Sequence, residues 1–236
     1  MAPHAEDTNG VSNGNGPTQL SQQDSLFTVN SPNVVYTDNE IKSKYTYRTT
    51  AVSHGVNGKF VATPKETLYD FKTDRTVGKT GMMLVGWGGN NGTTVTAGII
   101  ANRRGLTWAT REGERAANYY GSVVMGSTMK LGTDVKSGKE INIPFHDVLP
   151  MVHPNDLVIG GWDISAMTLA DAMDRAAVLE PTLKALVKDE MAAMKPLPSP
   201  YYPDFIAANQ EDRADNVLKG SKASMEHVEQ IRKDIR

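Results

Sequence analysis

One stretch constrains this chain more than any other. Met82-Met83-Leu84-Val85 is a short, uninterrupted apolar run, and Gly86-Trp87-Gly88-Gly89-Asn90-Asn91-Gly92 follows it directly. A continuous apolar run of this length predicts a strand buried on both faces, as in a parallel sheet. Thr93 to Arg104 then reads as a helix with Val95, Ile99 and Ile100 facing inward and Gly105 ending it. Strand, glycine turn and helix together restrict the fold to an α/β architecture that begins a doubly wound parallel sheet.

The glycines have a chemical reading. Gly86, Gly88 and Gly92 give G-x-G-x-x-x-G, a variant of the dinucleotide fingerprint. Gly86 allows the tight turn, and Gly88 and Gly89 let the backbone approach a pyrophosphate. The amides opening the helix supply donors and the positive end of its dipole. Asn90 and Asn91 add side-chain amides able to hydrogen-bond phosphate or ribose oxygens. No Lys-Ser/Thr pair follows the loop, which excludes a P-loop nucleotide hydrolase.

A dinucleotide lacking the extra ribose phosphate needs an acidic partner for its ribose hydroxyls. Glu112 stands 20 residues after Gly92, the usual interval, but within a charged run that reads as a solvated turn. Asp163 ends a second apolar strand, Asp156-Leu-Val-Ile-Gly-Gly-Trp-Asp163, and a carboxylate at a strand tip lies where such ligands bind. Asp163 is therefore favoured, with a helix-entry cap as its competing role.

The remaining chain is organised around these two strands. Residues 1–30 are rich in Gly, Asn, Ser and Gln without apolar period and are expected to be a disordered tail. Residues 31–78 form a β-rich N-terminal segment whose Asn57-Gly58 pair signals a hairpin. Residues 79–236 are expected to be the first part of a Rossmann-type domain. Within it, 106–155 is an excursion with strand-like pieces at Leu106–Thr110, Val123–Leu131 and Ile141–Phe145. Thr168 to Asp171 resembles a capping box, and helices follow over about 168–180 and 182–194. Pro181 suits a first helical turn, and Leu183, Val187, Met191 and Met194 form an apolar stripe. Trp162, Met173 and Met191 are read as core. The proline-rich run Lys195–Pro203 breaks any helix, and a last helix over 225–235 presents Val228, Ile231 and Ile235 with no partner evident in the sequence. Only two parallel strands are evident, so the chain reads as the front of a longer protein.

Composition narrows the partners. Lys+Arg 25 against Asp+Glu 27 leaves a net charge of −2, unlike a nucleic-acid binder. There is no Cys, and the five His are scattered, so no metal site is expected. No apolar run is long enough for a membrane span, and the N-terminus is not a signal peptide. Arg48 is the first Arg, which argues against an Arg-rich transit peptide. A cytoplasmic location is expected.

The motif strings resemble those of the myo-inositol-1-phosphate synthase family. They are Gly86-Trp-Gly-Gly-Asn-Asn-Gly-Thr93, Leu149-Pro-Met-Val-His-Pro-Asn-Asp156, Gly161-Trp-Asp-Ile164, Lys195-Pro-Leu-Pro-Ser199 and Tyr202-Pro-Asp-Phe-Ile-Ala-Ala-Asn-Gln210. The resemblance implies a Rossmann domain that binds NAD, interrupted in sequence by a catalytic domain that also builds a homotetramer. It implies conversion of glucose 6-phosphate to inositol phosphate by oxidation, intramolecular aldol closure and reduction, in inositol and phospholipid biosynthesis. By motif, the cofactor contacts it implies are Val85, Gly86, Gly88, Gly89, Asn90, Asn91, Asp163, Ser199 and Arg213. Pro200 stands where the family usually has an aliphatic residue. Family members are more than twice as long, and no residue of this sequence is identified as catalytic. The competing reading is a non-catalytic relative that binds NAD or a complete subunit.

Overall fold

The computed structural model describes residues 26–205, 208–220 and 224–236. The expected N-terminal disorder falls, through residue 25, outside the described residues. Two compact units divide the chain. One comprises the residues up to Gly78 with Asp147–Pro150, and the other comprises Lys79–His146 with Met151–Arg236.

The first unit is a three-stranded antiparallel sheet in the order β1 (Val34–Tyr36), β2 (Glu40–His54), β3 (Phe60–Asp74). β2 and β3 pair without a break from Glu40↔Asp74 to His54↔Phe60. Asn57 and Gly58 both take φ of 71°, the left-handed pair that matches a tight hairpin to strand twist. The ribbon carries apolar side chains on both faces, and Tyr45, Leu68 and Phe71 are exposed. Glu40 bridges Lys42 and Lys72, and these two ammonium groups hold its carboxyl below the usual range, Lys72 most strongly.

The second unit is built on a parallel sheet. β4 (Gly81–Val85) lies beside β9 (Val158–Asp163), from Gly81↔Val158 to Val85↔Trp162. A third strand, β10 (Leu197–Pro198), joins the other side of β9, giving the order β10-β9-β4. A parallel bridge from Ser199 to Val217 extends the sheet beyond β10. The sequence reading counted two parallel strands because a two-residue strand carrying Pro198 has no apolar period. Its pairing comes from the neighbour β9, through Leu197↔Trp162 and Pro198↔Asp163.

Helix α1 (Asn90–Arg103) starts three residues earlier than Thr93. Its buried residues include Thr93, Thr96, Ala97, Ile99, Ile100 and Ala101, so Ile99 and Ile100 face inward as expected, whereas Val95 is 42% exposed. Thr93, Thr96 and Ala97 share that side as small or polar residues, so apolarity alone does not mark it. Gly105 follows with φ of 57°, the left-handed turn expected of a helix end. Helices α3 (Leu169–Ala176) and α4 (Pro181–Ala192) pack with α1 into one core, where Ile100, Leu169, Met173, Val187 and Met191 are fully buried. Burying side chains of this size contributes roughly 1.5–3 kcal/mol each. Thr168 caps α3 through Asp171, and Pro181 opens α4, both as the sequence suggested.

The excursion between α1 and β9 is two hairpins, β5 (Thr107–Thr110) with β6 (Gly113–Ala116), and β7 (Thr128–Thr133) with β8 (Glu140–Pro144). The piece expected as strand over Val123–Leu131 begins instead as one helical turn, α2 (Val123–Gly126), because Ser122 caps it by accepting from the Met125 amide. The final helix α5 (Met225–Ile235) is docked, contrary to the expectation. Asp234 accepts from the buried Trp162 indole at 2.7 Å, and the buried His227 ring contacts the Tyr202 hydroxyl at 3.1 Å and the Lys219 carbonyl at 3.2 Å. Its apolar residues Val228 and Ile235 remain exposed.

Candidate functional site

The carboxyl ends of β4, β9 and β10 lie side by side, and the loops leaving them form the site. Val85, the last residue of β4, is 85% exposed. The chain then turns sharply at Gly86, whose φ is 80°. The amides of Gly86 and Trp87 both donate to the Trp162 carbonyl, at 2.8 and 3.0 Å, and so fix the turn to β9.

Trp87 holds the loop from beneath. Its buried indole N–H donates to Thr96 Oγ1 at 2.9 Å, and that hydroxyl donates to the Gly92 carbonyl at 2.7 Å. A Cβ on Gly92 would stand 2.2 Å from the Trp87 carbonyl oxygen, so only glycine allows this crossing of loop and helix. Gly89 is the extended N-cap of α1 and supplies no side-chain cap. The first-turn amides of α1 at Asn90 and Asn91 have no acceptor within the helix, and both Asn residues are exposed, whereas Gly92 is buried. Such a terminus favours an anion.

Asp163 ends β9 and is 2% exposed. Its Oδ1 accepts from the Ser165 amide at 2.9 Å and from Arg213 Nη2 at 3.2 Å. Its Oδ2 is buried without a hydrogen-bond partner among the described residues. A buried carboxylate oxygen in that state is poised for a hydroxyl or N–H donor from a ligand. A Cβ on Gly88 would lie 3.2 Å from this oxygen, so the loop backbone and the carboxylate are in contact. Asn216 fixes the strand end from its backbone side, donating to the carbonyls of Asp163 at 3.0 Å and Pro196 at 3.3 Å.

Gly88, Asp163 and Arg213 are thus brought together directly. Ser199 lies one residue beyond the Pro198↔Asp163 pair and is buried. Its backbone is engaged with Asn216 and Leu218, and its hydroxyl donates to the Pro200 carbonyl at 3.2 Å. Gly86, Gly89, Asn90 and Asn91 form the loop and helix start above β4. Thr168, not Asp163, caps the helix after β9, and Asp163 caps only the short turn at Ser165. Glu112 is on the turn of the antiparallel β5–β6 hairpin in an exposed ion pair with Arg115, and so is not at the end of a parallel strand.

Arg175 and Asn216 were missed. Arg175 Nη2 donates to the Gly88 carbonyl at 2.5 Å. Burial and then the charge of Arg213 hold its guanidinium below the ordinary arginine range, opposed by Asp163. Nothing in its helical position marks it, since the same period places it on a solvent-facing side. No helix among the described residues is long and apolar enough to cross a membrane.

Comparison with known proteins agrees with this geometry. Residues 80–236 match the family model for myo-inositol-1-phosphate synthase, which is an NAD-binding domain. The chain is 55% identical over 210 residues to inositol-3-phosphate synthase of Dictyostelium discoideum, covering 89% of this chain and 40% of that protein. It is 55% identical over 212 residues to inositol-3-phosphate synthase 1 of Oryza sativa subsp. japonica, covering 89% of this chain and 41% of that protein. The crystal structure of inositol-3-phosphate synthase from Caenorhabditis elegans superposes with a TM-score of 0.81 at 48% identity, over 89% of this chain and 41% of that one. The chain therefore spans about two fifths of the length of these relatives. With a family match over the whole parallel-sheet unit and a matching structure, the chain belongs to the myo-inositol-1-phosphate synthase family.

Proposed function

We propose that the protein converts D-glucose 6-phosphate to myo-inositol phosphate, and that this chain supplies its NAD-binding part. One observation carries the reading. A buried carboxylate with an unpaired oxygen, Asp163 Oδ2, abuts a glycine loop that opens an uncapped helix. That pairing suits a molecule with a pyrophosphate and a ribose diol. When bound, NAD supplies a reversible hydride acceptor, so the net change is an isomerisation.

In this reading the amides of Gly88, Asn90 and Asn91 receive the pyrophosphate, and Gly89, whose amide closes the loop onto the Gly86 carbonyl at 2.9 Å, lets the backbone approach it. Gly86 sets the turn, and Val85 borders the loop through its backbone. Asp163 accepts from the ribose hydroxyls. Arg213 orients that carboxylate, and Ser199 presents a hydroxyl at the adjacent strand end. None of these residues is assigned a catalytic role. Residues 31–78 form a separate β segment, and 79–236 form the first part of the Rossmann domain. The working protein is a cytoplasmic homotetramer, to be checked by light scattering and fractionation.

The test is twofold. Calorimetric titration should show NAD binding that is lost in Gly88→Val, and glucose 6-phosphate should give inositol phosphate only with NAD present. Binding without turnover by the natural full-length protein would leave a non-catalytic NAD-binding relative instead.

A further inference from the structure

Arg175 lies outside every motif that the family resemblance supplies. Its guanidinium donates to the Gly88 carbonyl at 2.5 Å. The Cβ position of that same Gly88 is 3.2 Å from Asp163 Cγ, and Arg213 reaches Asp163 Oδ1 at 3.2 Å. Arg213 therefore pairs with the buried carboxylate while Arg175 holds the loop backbone that abuts it, and the three charges sum to +1. The Arg175 residue is exposed overall while its guanidinium reaches the part-buried Gly88 carbonyl, so it borders the site from solvent rather than from the core. Partial burial and then the neighbouring Arg213 charge work against its own, and the Asp163 charge favours it, so both charged groups lie near enough to act on Arg175.

We propose that Arg175 is a specificity-determining residue: with Arg213 it forms a phosphate clamp that Asp163 neutralises, which keeps the site selective for NAD over the 2′-phosphorylated cofactor. The inference rests on the NAD-binding reading above. A 2′-phosphate brought to Asp163 meets a buried like charge and also removes the hydroxyl that Oδ2 would accept from. Take the carboxylate's charge away and two forked guanidinium groups remain, which is the arrangement that suits a phosphate monoester.

The experiment measures NAD and NADP affinity by calorimetry, at fixed salt, for the full-length protein and for Asp163→Asn, Arg175→Gln and the double variant. Asp163→Ser replaces Asp163→Asn if the latter does not fold. Asp163→Asn should gain about ten-fold or more in NADP affinity, and the double variant should lose that gain while its NAD affinity stays near that of Asp163→Asn. An undiminished NADP gain in the double variant overturns the role of Arg175. No NADP gain in Asp163→Asn, from a protein that binds NAD, overturns the clamp and leaves the NAD reading intact. Absence of NAD binding by the unaltered protein overturns the underlying reading itself.

Discussion

A Cβ built on Gly88 stands 3.2 Å from both Cγ and Oδ2 of Asp163, so the glycine loop and the strand-end carboxylate meet without a side chain between them. Gly88→Val puts two methyl groups into that contact and into the approach of a pyrophosphate. NAD affinity should fall at least about ten-fold, roughly 1.4 kcal/mol. Titration calorimetry on a folded variant checks this, and unchanged affinity would remove the loop from the site.

Gly161 is pinned in the same way inside the sheet. A Cβ there would lie 2.1 Å from the Leu84 carbonyl oxygen, which belongs to the paired strand and cannot swing aside. Gly161→Ala should lower stability by about 2–3 kcal/mol through forced separation of β4 from β9. Urea unfolding gives the number. A loss below about 0.5 kcal/mol would show that the strands part easily at this point.

Among the described residues, α5 meets the sheet through a hydrogen bond from the Trp162 indole to Asp234, beside the His227 contacts to Tyr202 and Lys219. Asp234→Ala leaves the Trp162 indole N–H buried without its acceptor, at a cost of about 1–2 kcal/mol. Amide hydrogen exchange should then quicken across Met225–Ile235 ahead of α1. Uniform exchange in both helices would mean that α5 is held by other contacts.

His153 makes stability depend on pH. Half-burial lowers its imidazole affinity for protons from the ordinary 6.5, His146 adds to the effect and Asp156 opposes it. The ring is needed neutral, because Nδ1 accepts from the Asn155 amide at 3.1 Å. The unfolded chain then binds a proton that the folded chain refuses. The contribution is fully present above about pH 6.5 and is lost as pH falls from there toward the folded value. Urea midpoints should fall between about pH 7.5 and about pH 5.5, and His153→Gln should flatten that slope. An unchanged slope in the variant would assign the effect to other groups.

Expressed by itself, the 236-residue chain should give no inositol phosphate from glucose 6-phosphate and NAD. The aldol step needs a preorganised cation at the developing oxyanion, and the cations at this site, Arg175 and Arg213, are engaged with Gly88 and Asp163. Turnover above a no-enzyme control, from material free of host synthase, would place catalytic residues within this chain.

Local chemistry was legible where each residue acts on its near neighbours. The strand at Met82–Val85, the glycine turn, the Asn57-Gly58 hairpin and the Thr168 cap could all be placed from spacing, because backbone conformation and short-range hydrogen bonds decide them. The expected burial of that strand on both faces does not hold, since Met82 to Leu84 are half-buried and Val85 is exposed. The inner face of α1 was misread at Val95, since the rotation of the helix turns Thr96 and Ala97, with Ile99 and Ile100, toward the core and leaves Val95 outside it. β10 was not legible at all, because its pairing is supplied by β9 across the intervening helices.

The sequence by itself determined a strand, glycine loop and helix able to meet a phosphate, and a second strand ending in a carboxylate. Those features need only a few consecutive residues. Tertiary structure decided which carboxylate stands beside the glycine loop and what surrounds it. Glu112 and Asp163 both have suitable chemistry, but only Asp163 is carried by a strand that pairs with β4, and pairing partners are chosen by the whole sheet. Arg175, Arg213 and Asn216 reach Gly88 and Asp163 across 87, 50 and 53 residues of chain. Contacts over such separations follow from how helices and strands pack in three dimensions, which no local pattern encodes.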